Sequence, residues 1–161
     1  MKSSIHVACL DGTVFCKITG LGRMQNSFSL RSFAEQAFLD GFRQFIIDLK
    51  DCTGMDSTFM GTLLGIQLLK KESISPLVVL VNVSQENYKL LEGLGLSKVL
   101  KIEKKPMEPP QMELIEVQEE KLSQREWLQN IYEAHKNLVE LHPENKKKFG
   151  NFVKTLFKEL S

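Results

Sequence analysis

Hydrophobic and polar positions along the chain change period several times, and each change marks an element. Ile5–Cys9 and Thr13–Ile18 alternate as two short strands around Asp11-Gly12, a dipeptide suited to a tight hairpin turn. From Leu30 the apolar residues Leu30, Phe33, Ala34, Ala37 and Phe38 recur at helical spacing, and Gly41 closes that helix. Gln44–Lys50 is a third strand whose adjacent apolar residues predict burial on both faces. A helix is expected from Ser57 to Lys71, broken at Ser73–Pro76, and then a nearly continuous apolar strand over Leu77–Val83. Ser84 is a good N-cap for a short helix over Gln85–Glu92 that stops at Gly93 and Gly95, and Val99–Ile102 suits an edge strand.

The order ββαβαβαβ predicts an α/β layer with right-handed crossovers. Composition then shifts. Residues 105–121 form a linker or surface strap among charges and the prolines Pro106, Pro109 and Pro110. Residues 122–161 carry two further stripes. Trp127, Leu128, Ile131, Tyr132, Leu138 and Leu141 mark one amphipathic helix, and His142–Asn145 is a turn. Phe149, Phe152, Val153, Leu156, Phe157 and Leu160 mark a second helix. Such a helical hairpin is too small to fold alone and must pack on something, either the sheet domain or a second copy.

Composition narrows the function. The chain has 161 residues, 42% hydrophobic and 25% charged, with a net charge of +1, so no global field attracts nucleic acid or an anionic membrane. No apolar run approaches the roughly 20 residues that span a bilayer, and the N-terminal segment is not a secretory signal. Cys9, Cys16 and Cys52 are an odd number without CxxC spacing, which fits reduced thiols in a cytosolic protein. His6, His135 and His142 are scattered, so surface or partly buried positions are expected and no metal site is. No Ser/His/Asp or Cys/His catalytic set can be assembled, and an enzyme is not expected.

The most informative stretch is Phe45–Leu69, in which a buried strand leads to Met55-Asp56-Ser57-Thr58-Phe59-Met60-Gly61 and an apolar helix. Asp56 is a natural N-cap, and capping alone would explain it. Ser57, Gly61 and Gly65 also share one helix face, and a hydroxyl at a helix N-terminus is well placed to carry phosphate.

At this point the chain resembles the STAS domain of bacterial anti-sigma-factor antagonists, whose pattern here is Asp-Ser-Ser-Gly-Leu-Gly. The resemblance extends over residues 4–104, a 1–104 STAS-like domain, and includes Leu94-Gly95-Leu96. It implies a STAS-type mixed β-sheet flanked by helices, to which this chain adds the C-terminal helical hairpin. It further implies a phosphoacceptor at Ser57, with Thr58 as the alternative, in a partner-switching regulator of transcription. The implied partners are an anti-sigma factor that is also a serine kinase, bound when Ser57 is unphosphorylated, and a PP2C-type phosphatase; nucleotide would belong to the kinase, and no cofactor to this chain. Carried onto this sequence, Asp56, Thr58, Phe59, Met60 and Gly61 fall in the partner-binding surface. Arg23, Gln25, Asn26 and Ser27, in the loop before the first helix, are further candidate contacts, or else a surface turn in which Asn26 or Ser27 caps the helix. Thr58 and Phe59 replace the family's second serine and its glycine. Two rival roles follow from other STAS branches: a scaffold subunit of a stressosome-like assembly, and an accessory module of a transport system. A homodimer through the C-terminal helices is a further expectation.

Overall fold

A computed structural model describes residues 2–71 and 76–161. Strand β1 (Ser4–Leu10) turns through Asp11 and Gly12, both at positive φ (50° and 76°), into β2 (Thr13–Gly22), its antiparallel neighbour. Helix α1 (Met24–Leu39) leads to β3 (Gln44–Asp48), and β4 (Cys52–Met55) leads into α2 (Ser57–Gln67). β5 (Val78–Val81), α3 (Gln85–Gly93) and β6 (Lys101–Ile102) complete the α/β part, with a single 3-10 turn at Leu96–Lys98. The two-residue strand β7 (Ile115–Glu116) precedes the C-terminal helices α4 (Gln124–Leu141) and α5 (Pro143–Leu160).

The seven-stranded sheet runs β6-β5-β3-β2-β1-β7, with β4 paired to β2 beside this path. β2 is parallel to both β3 and β4; β3–β5 and β5–β6 are also parallel, whereas β1 meets β2 and β7 antiparallel. This is the mixed sheet flanked by helices that the sequence predicts, with the added helical pair.

Several boundaries differ from expectation, each for a local reason. β2 continues to Gly22 and α1 begins at Met24, so the loop expected before the first helix is a strand end followed by a helix turn. Gly20 permits this, because at φ +76 it carries the register shift that lets β2 exchange β3 for β4 as partner. β4 itself escapes the hydrophobic pattern, being only Cys52-Thr53-Gly54-Met55. Helix α2 ends at Gln67 rather than Lys71, where the Gln67 carboxamide oxygen accepts from the N–H groups of Leu77 and Val78. The expected break at Ser73–Ser75 lies outside the described residues.

On the helix side of the sheet, Val14, Cys16, Ile18, Phe45 and Ile47 join Leu30, Ala34, Phe59, Leu63 and Ile66 in the buried core. The alternate residues Phe15, Lys17, Ile46 and Asp48 face the other way, and a wall of Met107, Pro109, Pro110 and Leu114 lies over them. Burial on the second face of β3 is therefore supplied by an irregular strap running from β6 to β7. Asn82 fastens it: its Oδ1 accepts from the Met107 N–H and its Nδ2 donates to the Met107 carbonyl, each at 2.9 Å.

Candidate functional site

The site is assembled where two helices start. After β4, the Asp56 N–H donates to the Gly22 carbonyl at 2.8 Å, which fixes the end of β2 beside the start of α2. The carboxylate then serves both helices. Oδ1 accepts from the Phe59 N–H of α2, and Oδ2 accepts from the N–H of Met24, the first residue of α1, both at 2.8 Å. One acid thus answers orphan donors at two helix N-termini, and the positive ends of both macrodipoles converge on it. Ser57 follows directly as the first residue of α2.

Across from Ser57 stands α4. Ser57 Oγ and His135 Nε2 are 2.9 Å apart, and His135 Nδ1 lies 2.8 Å from the Ile131 carbonyl oxygen. A carbonyl can only accept, so Nδ1 carries the proton and Nε2 accepts from the serine hydroxyl. Burial pushes the His135 pKa below the ordinary histidine value, more than the Ile131 carbonyl and the neighbouring Asp56 charge raise it. The neutral imidazole is held edge-on between Phe149 and Phe152 of α5, each with ring centroids 5.0 Å away.

The seam continues along α2 and α1. Any side chain on Gly61 would collide with the backbone carbonyl of Ala134, and Gly65 faces the Asn137 carboxamide. These glycines let α4 lie against α2 at backbone distance. Towards α1, the Asn130 Nδ2 donates to Ser27 Oγ at 3.1 Å, and Arg31 pairs with Glu133. Beneath α5, the Asn145 Nδ2 donates to the carbonyls of Leu94 and Leu138, and Lys148 Nζ reaches the Gly93 carbonyl.

The candidates singled out from sequence fall into separate environments. Arg23, Gln25 and Asp56 are exposed, and Ser57 is half-buried. Thr58, Phe59, Met60 and Gly61 are buried, Phe59 completely. Asn26 and Ser27 are buried too, inside the first turn of α1, and neither is its N-cap. Arg23 holds the N-cap position, where its N–H donates to Asn26 Oδ1 at 3.0 Å, while Asn26 Nδ2 donates to the Leu21 carbonyl. Gln25 presents no bond to the seam among the described residues. Phe59, Met60 and Asn26 thus lie beneath this surface, while Ser27 Oγ meets Asn130 of α4.

Sequence reasoning places His135 at a surface or partly buried position and passes over Asn130; both are buried, because α4 packs this side on α2 and α1. Their signal is positional: His135 lies between Ile131 and Leu138 at helical spacing, and Asn130 precedes Ala134 and Leu138 in the same way. Polar residues set inside an apolar stripe mark a seam that has to be satisfied by hydrogen bonds.

With this geometry the chain can be set beside known proteins. No family model matches it, and no curated protein does. Solved structures do. A candidate anti-sigma factor antagonist from Thermotoga maritima superposes with a TM-score of 0.51 at 17% identity, over 60% of this chain and 82% of the other. A solution structure of the same Thermotoga maritima protein gives a TM-score of 0.54 at 19% identity, over 60% and 78%. The anti-sigma factor antagonist SpoIIAA of Bacillus, in its unphosphorylated form, gives 0.53 at 20% identity, over 62% and 87%. The chain has the fold of the anti-sigma factor antagonists. At these identities the likeness concerns the fold. It takes in most of each neighbour but well under the whole of this chain. Among the described residues no helix is long and apolar enough to cross a membrane, and no cluster of side chains could hold a metal ion.

Proposed function

We propose that this chain is an anti-sigma factor antagonist working by partner switching, with Ser57 as the residue whose phosphorylation sets the state. Unphosphorylated, it binds an anti-sigma factor that is also a serine kinase; a PP2C-type phosphatase restores that state. The observation that carries the reading is the position of Ser57, immediately after an Asp56 that caps α1 and α2 together. A phosphate there adds about −1.5 to −2 charges beside two helix N-termini, which stabilise it without unfolding the domain. The same charge beside Asp56 repels an acidic partner surface, so binding is lost while the fold is kept. Thr58 is the weaker phosphoacceptor, being buried.

In this reading the protein is a binding switch and needs no substrate pocket. The Ser57–His135 pair has the spacing of a nucleophile and base, but His135 is oriented by a backbone carbonyl and no carboxylate bonds its Nδ1. The deciding experiment is peptide mass spectrometry of the protein purified from its own cells in growth, starvation and stress. Phosphate on Ser57, absent from a Ser57→Ala form and retained in Thr58→Ala, supports the switch. An unmodified Ser57 in all three conditions overturns it.

A further inference from the structure

The face of α2 that presents Ser57 is already covered. Helix α4 takes the Ser57 hydroxyl onto His135, lies flat on Gly61 and is anchored on α1 through Asn130 and Glu133. A modifying enzyme must grip the backbone around its serine, and a partner reading this face must contact the same surface. Neither can do so while α4 is in place.

The seam has the character of a separable interface. Beside Leu138, Leu141 and Phe149, which pack on the core, its contacts to α1, α2 and the C-terminal end of α3 include a row of polar pairs: Ser57–His135, Ser27–Asn130, Arg31–Glu133, Leu94–Asn145 and Gly93–Lys148. Among the described residues, the buried side-chain oxygens of Asn130 and Asn145 accept no hydrogen bond from another protein group, and opening the seam would give both access to water. Within α4, Ala134 and Leu138 are the only fully buried apolar side chains. The strap joining α4 to the sheet is held after Pro110 by β7, the Val117 N–H on the Ile5 carbonyl and the Glu120 N–H on Ser29 Oγ. That length of irregular chain can act as a tether. Interfaces of this kind within a chain open more readily than a hydrophobic core.

We propose that the α4–α5 hairpin is an autoinhibitory lid, occupying in cis the surface around Ser57 and exposing it by swinging away as a unit while the α/β part stays folded. The proposal rests on the partner-switching reading only for what the lid withholds; the lid itself can be tested without any partner.

The test uses the full chain with Cys9→Ser and Ser57→Cys. Cys9 is the exposed native thiol; Cys16 and Cys52 are buried, with burial pushing Cys16 up to about 12. The rate of N-ethylmaleimide labelling at position 57 is read beside amide hydrogen exchange of α4, α5 and the β3–β5 core. The lid predicts labelling at least about tenfold slower than in the denatured chain, yet matched to α4 and α5 exchange and faster than core exchange. Gly61→Ala, and the milder surface change Glu133→Ala, should each accelerate labelling and α4–α5 exchange several-fold, with labelling still faster than core exchange. Labelling as fast as in the denatured chain means that Ser57 is already open, and overturns the proposal. Labelling only at the rate of core exchange means that the hairpin is a fixed part of the fold, and equally overturns it. Because no kinase takes part, an unphosphorylated Ser57 in cells leaves this result untouched, and a failed lid leaves the phosphorylation result untouched.

Discussion

Gly61 of α2 lies directly beneath the main-chain carbonyl of Ala134 in α4, closer than any Cβ could be accommodated. Gly65, one turn further along, faces only the end of the Asn137 side chain, with a hypothetical Cβ at 3.2 Å from Nδ2. Gly61→Ala should therefore destabilise the chain by about 1–3 kcal/mol, since backbone has to move. Gly65→Ala should be neutral or slightly stabilising, because a flexible side chain can give way while the helix gains up to about 1 kcal/mol in propensity. Urea unfolding of both variants checks the contrast, and the single tryptophan, Trp127 on α4, reports whether the helix has shifted.

His135 predicts a pH dependence. Its folded-state pKa lies below the unfolded value of 6.5 because burial disfavours the charged ring. The folded chain then binds fewer protons than the unfolded one between those values, so stability rises with pH across that window. The contribution is fully present above pH 6.5 and is lost as pH falls from there through the folded-state pKa. Asp56, the charged neighbour, opposes the shift while ionised. Urea midpoints at pH 8, 6.5 and 5.5 should fall with acid in the native chain. In His135→Phe the slope over this range should be visibly smaller; an equal slope would assign it to other groups.

Asp56 joins two helix starts, so its loss should cost more than an ordinary cap. Asp56→Ala is expected to destabilise by about 2 kcal/mol, at the upper end for N-caps. Asp56→Asn keeps an oxygen for the Phe59 N–H but turns a donor towards the Met24 N–H, so its cost should fall between the two. Thermal unfolding of the series gives the order, and a matching loss for Asn and Ala would mean that the Met24 bond dominates.

Phe59 is wholly buried and packs against Gly22, where any side chain would meet its ring. Phe59→Ala should lose about 3–5 kcal/mol, the range for a large aromatic removed from a core. A binding defect in that variant would therefore reflect unfolding, and circular dichroism at the assay temperature distinguishes this from a lost contact.

Much of this architecture is written in local pattern. The Asp11-Gly12 hairpin, the Ser84 cap and the amphipathic stripes of α4 and α5 each depend on residues near one another in sequence and each forms, although α5 starts at Pro143 inside the expected His142–Asn145 turn, with His142 as its cap. Ser84 Oγ accepts from the Asn87 N–H at 3.1 Å, as a serine N-cap should. What the pattern hides is set by distant partners. β4 is four residues, Cys52-Thr53-Gly54-Met55, too short to show a period, and is a strand because Gly20 frees the end of β2 to pair with it. Helix α1 starts six residues before its first apolar stripe residue, because Asp56 and Asn26 satisfy its first donors. The bond between Ser57 and His135 spans 78 residues and has no trace in either local sequence beyond a histidine in an apolar stripe.

The strap has a consequence for how copies of this chain could meet. It closes the outer side of β1 by laying β7 along it, and at the opposite margin the sheet ends in the two residues of β6. Strand-to-strand addition of another molecule needs a long row of unpaired N–H and C=O groups, and neither margin offers one among the described residues. These two margins therefore disfavour association by strand addition, and leave side-chain surfaces, those of the helices among them, where single substitutions can act without touching the sheet.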